Sequence, residues 1–273
     1  MYTKILGRDV EVNARSPHIW NTLSKMLGID CQMRRQNTSQ NELQSELENF
    51  RQDPQFHGVL LAAPLKEKAL QILQSFGHTK IGNLDSINLI YKSDDGIQTT
   101  STDGFGALAS LGLNQPSCNF LIFGYGGTSK SIINAITHSS LTQKITVATR
   151  QSKIRESHNA QFKFIEYKEI NEYLPNANVI INATNLGNSQ FPNLSPINQA
   201  TMKKVSTTAR LLDVNYSASG TTTFLELGKS EGITGIDGSE MNLMQALYAF
   251  KITHPTTNLT LEELKILYAN KDV

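Results

Sequence analysis

Two short stretches carry residues whose type and spacing suit chemistry. In GVLLAAPLKEKAL, residues 58–70, an apolar run and a proline deliver Lys66 to the start of the next segment. Val59 to Ala63 lack the polar alternation of a half-solvated strand and read as a strand buried on both faces, the habit of parallel sheets. Lys66 then stands just past a strand's carboxyl end, the edge where open α/β sheets bind ligands, although a lysine after a proline is ordinarily just solvated. An ammonium in such a place can stabilise, and then protonate, the oxygen of a ketone receiving hydride.

The second stretch is Gly124-Tyr125-Gly126-Gly127-Thr128-Ser129, which follows the apolar run CNFLIF and opens a helical pattern through Ile132, Ile133 and Ile136. In that context the glycines permit a tight turn and let backbone N–H groups approach a pyrophosphate at a helix N-terminus. Ser129 replaces the third glycine of the general fingerprint with another small residue. The next strand, KITVAT, ends in Ala148-Thr149-Arg150-Gln151-Ser152-Lys153, with no carboxylate for the ribose hydroxyls that an NAD site engages. Arg150, with Lys153, can pair with a 2′-phosphate, so NADP is the expected cofactor; the alternative is an arginine solvated at a strand end.

The elements that must position these residues alternate strand and helix. KILG, a helix from Ser16-Pro17 ending at Gly28, a strand from Cys31 to Arg34, a helix begun by Asn37-Thr38-Ser39 and GVLLAAP form a βαβ pattern, which predicts a mostly parallel sheet. A second unit begins at residue 118, with further strands at NVIINAT, LLDVNY and near GITGI. DDGIQTTSTDGFG, rich in Asp, Gly, Ser and Thr, suits a hinge or domain boundary. From Met241 two helices follow, Thr260 and Glu263 forming a capping box for the second.

Composition narrows the partners. The chain has 273 residues, net charge +1 and 25 basic against 24 acidic residues without a basic run, so no nucleic-acid footprint or anionic-membrane patch is expected. Nothing approaches the roughly 20 apolar residues of a membrane span, and the N-terminus lacks a signal-peptide core. Cys31 and Cys118 are far apart and the histidines form no zinc-spaced cluster, which points to a reducing cytosol and no metal.

Taken together and in order, several stretches resemble the shikimate dehydrogenase family. SPHIWN (16–21) resembles SP-x-x-HN, PLKE (64–67) P-x-KE, SINLI (86–90) AVNT and STDGFG (101–106) NTD-x-x-G. GYGGTSK is similar to GAGGAAR, TRQ (149–151) to NRT, NATNLGN (182–188) to NATSxGM, DVNYSASGT (213–221) to DxVYxPxxT and GSEMNLMQA (238–246) to G-x-x-ML-x-x-QA.

The resemblance implies an α/β protein of two domains with a cleft between them: a mostly parallel substrate domain, 1–103 completed by 238–273, and a Rossmann-type NADP-binding domain, 104–237. It implies Lys66 and Asp103 as the catalytic pair, whether one residue or both act as acid remaining open. Ser16, Asn88 and Gln245 match substrate-binding positions, Tyr216 and Gly235 match cleft positions near the nicotinamide, and Thr149 and Thr184 fall in the cofactor motifs. The implied reaction is NADPH-dependent reduction of 3-dehydroshikimate to shikimate, in a cytoplasmic monomer or homodimer.

The departures from the family pattern lie on the substrate side. Ala14 stands in place of a carboxylate-binding serine, Leu60 and Ala62 in place of an asparagine and a threonine, and Trp20 in place of a histidine. Either a cation such as Arg8 or Arg15 compensates, or another cyclic hydroxy acid such as quinate is used, or the chain is a catalytically silent NADP-binding regulator. Arg15 offers a bidentate clamp, or is simply solvated.

Overall fold

Apolar residues along the strands decide how the chain is layered. The computed structural model describes residues 1–77, 84–113, 117–139, 142–150, 162–217, 220–255 and 257–271. The chain divides into two units, Met1–Gly106 with Asn242–Val273, and Ala107–Met241.

The first unit contains strands β1 (Tyr2–Gly7), β2 (Gln32–Asn37), β3 (Phe56–Leu61), β4 (Leu89–Ser93) and β5 (Gly96–Thr100), in the order β2-β1-β3-β4-β5. Its helices are α1 (Val10–Asn13), α2 (Ser16–Leu27), α3 (Leu43–Gln52) and α4 (Lys66–Ser75), and α5 (Asp103–Leu111) begins in it. β1 is parallel to β2 and β3, whereas β3-β4 and β4-β5 are antiparallel. Leu6, Val59, Leu61 and Ile90 pack with Leu43, Leu47 and Phe50 of α3 and Ala69 and Leu73 of α4. Their neighbours Ile5, Leu60 and Leu89 pack with Ile19, Trp20 and Leu23 of α2. Successive side chains of a strand point to opposite faces, so Val59, Leu60 and Leu61 of β3 are all apolar because both faces are covered there.

DDGIQTTSTDGFG supplies the turn and second strand of the β4-β5 hairpin and then the start of α5, and the division between the two units falls at its end, after Gly106. Its polarity comes from β5 being a half-exposed edge strand. The regular part of α3 begins at Leu43 rather than Thr38, because Ser39 and Glu42 bond each other across the preceding turn, Ser39 N–H to Glu42 Oε2 at 2.8 Å and Glu42 N–H to Ser39 Oγ at 3.4 Å.

The second unit contains β6 (Cys118–Phe123), β7 (Thr142–Ala148), β8 (Lys163–Ile165), β9 (Val179–Asn182), β10 (Arg210–Asp213) and β11 (Thr234–Ile236), in the order β11-β10-β9-β6-β7-β8, all parallel. The helices are α6 (Gly127–Thr137), α7 (Gln199–Met202) and α8 (Thr223–Ser230). The three-residue β8 is too short to give a periodic signal and has no counterpart among the expected strands. The chain builds outward from β6 through β7 to β8, then returns to β6's other side with β9. This reversal is a topological switch point, and ligands of open parallel sheets bind outside the strand carboxyl ends there.

The last helices are α9 (Gly238–Thr253) and α10 (Leu261–Ala269), the latter with the expected reciprocal Thr260/Glu263 capping box. α9 starts three residues before Met241. A Cβ on Gly238 would lie 2.1 Å from the Val214 carbonyl oxygen, so only glycine fits that start. The divisions between the units fall within α5 and α9.

Candidate functional site

In the first unit, β3 ends at Leu61 and Lys66 is the first residue of α4, while Asp103 is the first residue of α5. A helix N-terminus favours a carboxylate and disfavours an ammonium, so Asp103 is well placed electrostatically and Lys66 needs a counter-charge. Asp103 supplies it: Lys66 Nζ donates to Asp103 Oδ2, with both side chains largely withdrawn from solvent.

Asn88, 2% exposed, reaches Asp103 Oδ1 at 3.0 Å with its Nδ2. The same amide nitrogen faces Thr102 Oγ1 at 2.9 Å and Gln245 Oε1 at 3.3 Å, three acceptors for two protons. Thr102 N–H donates to Asn88 Oδ1 at 2.8 Å and its hydroxyl reaches Gln245 Oε1 at 3.0 Å. Gln245 Nε2 lies 3.5 Å from Ser16 Oγ. Lys66, Asp103, Asn88, Gln245 and Ser16, separated by up to 229 positions in sequence, thus form one hydrogen-bonded cluster.

Thr102 belongs to that cluster and is not among the residues the sequence singled out. Its position beside Asp103 in STDGFG was the available signal, but only the turn after β5 aims both residues the same way. Arg15, just before α2, is exposed. Ala14 and Ala62 pack against the apolar cluster that contains Leu60 and Trp20. Trp20 is anchored by its Nε1–H to the Ala246 carbonyl at 3.0 Å and by edge contacts to Phe250 and His254.

In the second unit a cavity of about 1100 Å³ opens over the carboxyl ends of the strands. Gly124, Tyr125 and Gly126 after β6, Thr149 and Arg150 after β7, Tyr167 after β8 and residues 183–186 after β9 line it. Gly124 has φ 91°, and a Cβ there would sit 3.0 Å from the Ala183 carbonyl oxygen. A Cβ on Gly126, immediately before α6, would meet nothing within 4 Å, so the backbone at the helix start is open to a ligand. Buried Ser129 takes the third-glycine position because its hydroxyl turns back to the Gly124 carbonyl at 2.9 Å. Burial raises the Tyr167 phenol's pKa and the Arg150 charge opposes that shift, which sets Arg150 within electrostatic reach of Tyr167.

Gly127 and Thr128 form the first turn of α6, and Thr184 lines the cavity. Lys153 lies outside the described residues. Tyr216 is exposed and Gly235 lies in the middle of β11, where a Cβ would meet Leu225 at 2.6 Å and Leu211 at 3.2 Å; neither is among the cavity-lining residues. Packing against α8 accounts for a glycine at 235.

Polar residues that the sequence did not single out support the cavity wall. Asn182 Oδ1 accepts from Thr184 N–H at 3.1 Å and Thr184 Oγ1 at 2.7 Å. Its Nδ2 donates to the Leu186 carbonyl and to Asp213 Oδ1. Burial raises the Asp213 carboxyl's pKa, against hydrogen bonds from Thr222, Asn215 and Asn182 that favour the charged form. Among the described residues no helix is long and apolar enough to cross a membrane and no group of metal-ligating side chains assembles.

The all-parallel sheet, with its switch point over a glycine turn, is of the Rossmann type, so the molecule is a two-unit α/β protein with one such unit. The model of the shikimate dehydrogenase substrate binding domain matches residues 5–90. The NADP(+) shikimate dehydrogenase of Synechocystis is 27% identical over 206 residues, 71% of this chain and 70% of its own. The crystal structure of shikimate dehydrogenase 1 from Peptoclostridium difficile superposes with a TM-score of 0.81 at 21% identity, covering 98% of this chain and 97% of that one. That of the Thermus thermophilus shikimate 5-dehydrogenase, in complex with NADP(H) and shikimate, gives 0.77 at 20% identity, covering 99% of each. The chain is thus similar in sequence and fold to shikimate dehydrogenases, and its residues 5–90 match the substrate binding domain of that family.

Proposed function

We propose that the protein is an NADP-dependent oxidoreductase that interconverts 3-dehydroshikimate and shikimate in the cytoplasm, as a monomer or homodimer. The observation that carries this reading is the Lys66–Asp103 pair tied to Asn88, Thr102 and Gln245, with Lys66 and Asn88 inside the segment matched by the substrate-domain model. The relative's name supports both substrate and cofactor.

The cavity of the second unit fits a dinucleotide: Gly124 and Gly126 leave room for a pyrophosphate against the first turn of α6 at Gly127 and Thr128, and Arg150 offers a cation to a 2′-phosphate. Thr149 and Thr184 contribute to the same walls. NADPH held there would supply the hydride for a substrate ketone. As charge grows on the ketone oxygen, the Lys66 ammonium donates a hydrogen bond and then its proton, which it regains from water. Asp103 holds that ammonium in place and has lone pairs to accept a bond from a substrate hydroxyl. Asn88, Gln245 and Ser16 offer amide and hydroxyl groups to the ring hydroxyls. In the oxidative direction the hydroxyl proton would pass to the Lys66–Asp103 pair as hydride leaves.

A second reading, quinate or another cyclic hydroxy acid as substrate, is favoured by Ala14, Leu60 and Ala62, which pack in an apolar cluster and offer no side-chain hydrogen bond. Purified protein with NADP and shikimate, followed by nicotinamide absorbance with quinate and NAD in parallel, tests both. Fast turnover with shikimate and NADP is expected. Turnover with quinate alone establishes the second reading, and tight NADP binding without turnover on either acid overturns both in favour of a silent binder.

A further inference from the structure

Asp213 ends β10 with its carboxylate fully buried, and among the described residues it makes no ion pair. Four hydrogen bonds converge on it. Oδ1 accepts from Asn182 Nδ2 at 3.0 Å and from Asn215 N–H and Nδ2 at 2.9 Å each, and Oδ2 accepts from Thr222 Oγ1 at 2.7 Å. Burying a carboxylate without a cation is costly, and a well-packed apolar side chain would be cheaper if stability alone were at stake.

Its partners show what the carboxylate accomplishes. Asn182 Nδ2 spends its second proton on the Leu186 carbonyl at 2.8 Å. Asn215 Nδ2 also faces the Thr184 carbonyl at 3.0 Å and the Leu186 carbonyl at 3.1 Å. Thr184 Oγ1 accepts from Leu186 N–H at 3.1 Å. Gly187, at φ 100°, brings the chain so close that a Cβ would lie 3.4 Å from Asp213 Oδ2. Residues 183–186 line the cavity, whereas Asp213 does not.

The geometry points to Asp213 as a positioning residue that, through Asn182 and Asn215, sets the backbone of 184–187 and so shapes one wall of the cofactor cavity without touching the cofactor. This role rests on the reading of that cavity as the NADP site. It differs from a purely structural role: loss of the carboxylate loosens one loop and weakens one ligand, leaving the sheet intact.

The test combines backbone hydrogen exchange, measured without cofactor, with NADPH affinity from nicotinamide fluorescence. In Asp213→Ala the Thr184 and Leu186 amides should exchange at least about tenfold faster, and NADPH should bind about tenfold more weakly, while the amides of β6 and β9 stay protected. Asp213→Asn keeps an acceptor at Oδ1 and should recover affinity to within about threefold of the parent. If Asp213→Ala does not fold, Asn215→Ala removes the bridge to the Thr184 and Leu186 carbonyls while Asn182 and Thr222 still satisfy the carboxylate, and it should show the same pattern more weakly. Unchanged exchange at Thr184 and Leu186, or faster exchange with NADPH affinity unaltered, overturns the role while leaving the cofactor reading intact. A parent protein that binds no NADPH overturns the cofactor reading itself and the role with it.

Discussion

The polar cluster of the first unit and the cavity of the second are built on opposite plans. Around Lys66, side chains from positions 16, 66, 88, 102, 103 and 245 bond one another through their terminal atoms. Around the cavity, successive loops at the ends of β6, β7, β8 and β9 present a glycine turn, backbone and a few side chains. A proton donor needs a side chain fixed by other side chains, whereas a phosphate is well held by backbone N–H groups at a helix start. One site therefore depends on long-range packing and the other on local turns.

Substitutions should separate the two plans. The largest effect is expected from Lys66→Ala, which should lower turnover about a thousandfold while leaving NADPH affinity unchanged. Steady-state kinetics beside a fluorescence titration checks it, and a parallel collapse of NADPH binding would break the comparison.

Acid should also part the units. Burial lowers the His254 pKa from 6.5 to about 4, so the unfolded chain binds the proton more readily and stability is lost as pH falls from about 6.5 towards 4, by about 3 kcal/mol. Asp213 has the opposite sign: its raised pKa favours the folded state as pH falls through it and costs stability as pH rises. Trp20, the single tryptophan, packs on His254 and reports on the first unit. Urea titrations at pH 7.5 and 5 should show its fluorescence transition moving to lower urea further than exchange protection in β6 and β9, and His254→Phe should suppress much of that movement.

Arg150→Asp should weaken NADPH by about 2 kcal/mol and leave NADH nearly unaffected, read from the two dissociation constants. Equal loss of both would remove Arg150 from the phosphate contact. The smallest effect is expected from Thr102→Val, which takes one hydroxyl from Asn88 and Gln245. A loss of about 1 kcal/mol in unfolding free energy and a modest rise in substrate KM should follow, with NADPH affinity constant.

The legibility of the sequence follows the same division. The turn at Gly124–Gly127, the apolar core of β3 and the Thr260 capping box are local patterns, set by residues a few positions apart, and the structure has them at the expected positions. The β4-β5 hairpin was hidden because its exposed edge strand is as polar as a linker. At Gly235 the close approach of Leu225 and Leu211 requires a glycine, a constraint that no local pattern in the sequence displays.

By itself the sequence determined the strand and helix alternation, the glycine turn, the absence of a carboxylate after β7 and the identities of Lys66 and Asp103. Only the tertiary structure decided that Thr102 joins Asn88 and Gln245, that Ala14 and Ala62 enter an apolar cluster, and that Asp213 sits buried behind a loop of the cavity. The reason is physical: backbone conformation and periodicity are fixed over a few residues, but the partner of a buried polar group is whichever distant residue the packed sheets bring within about 3 Å.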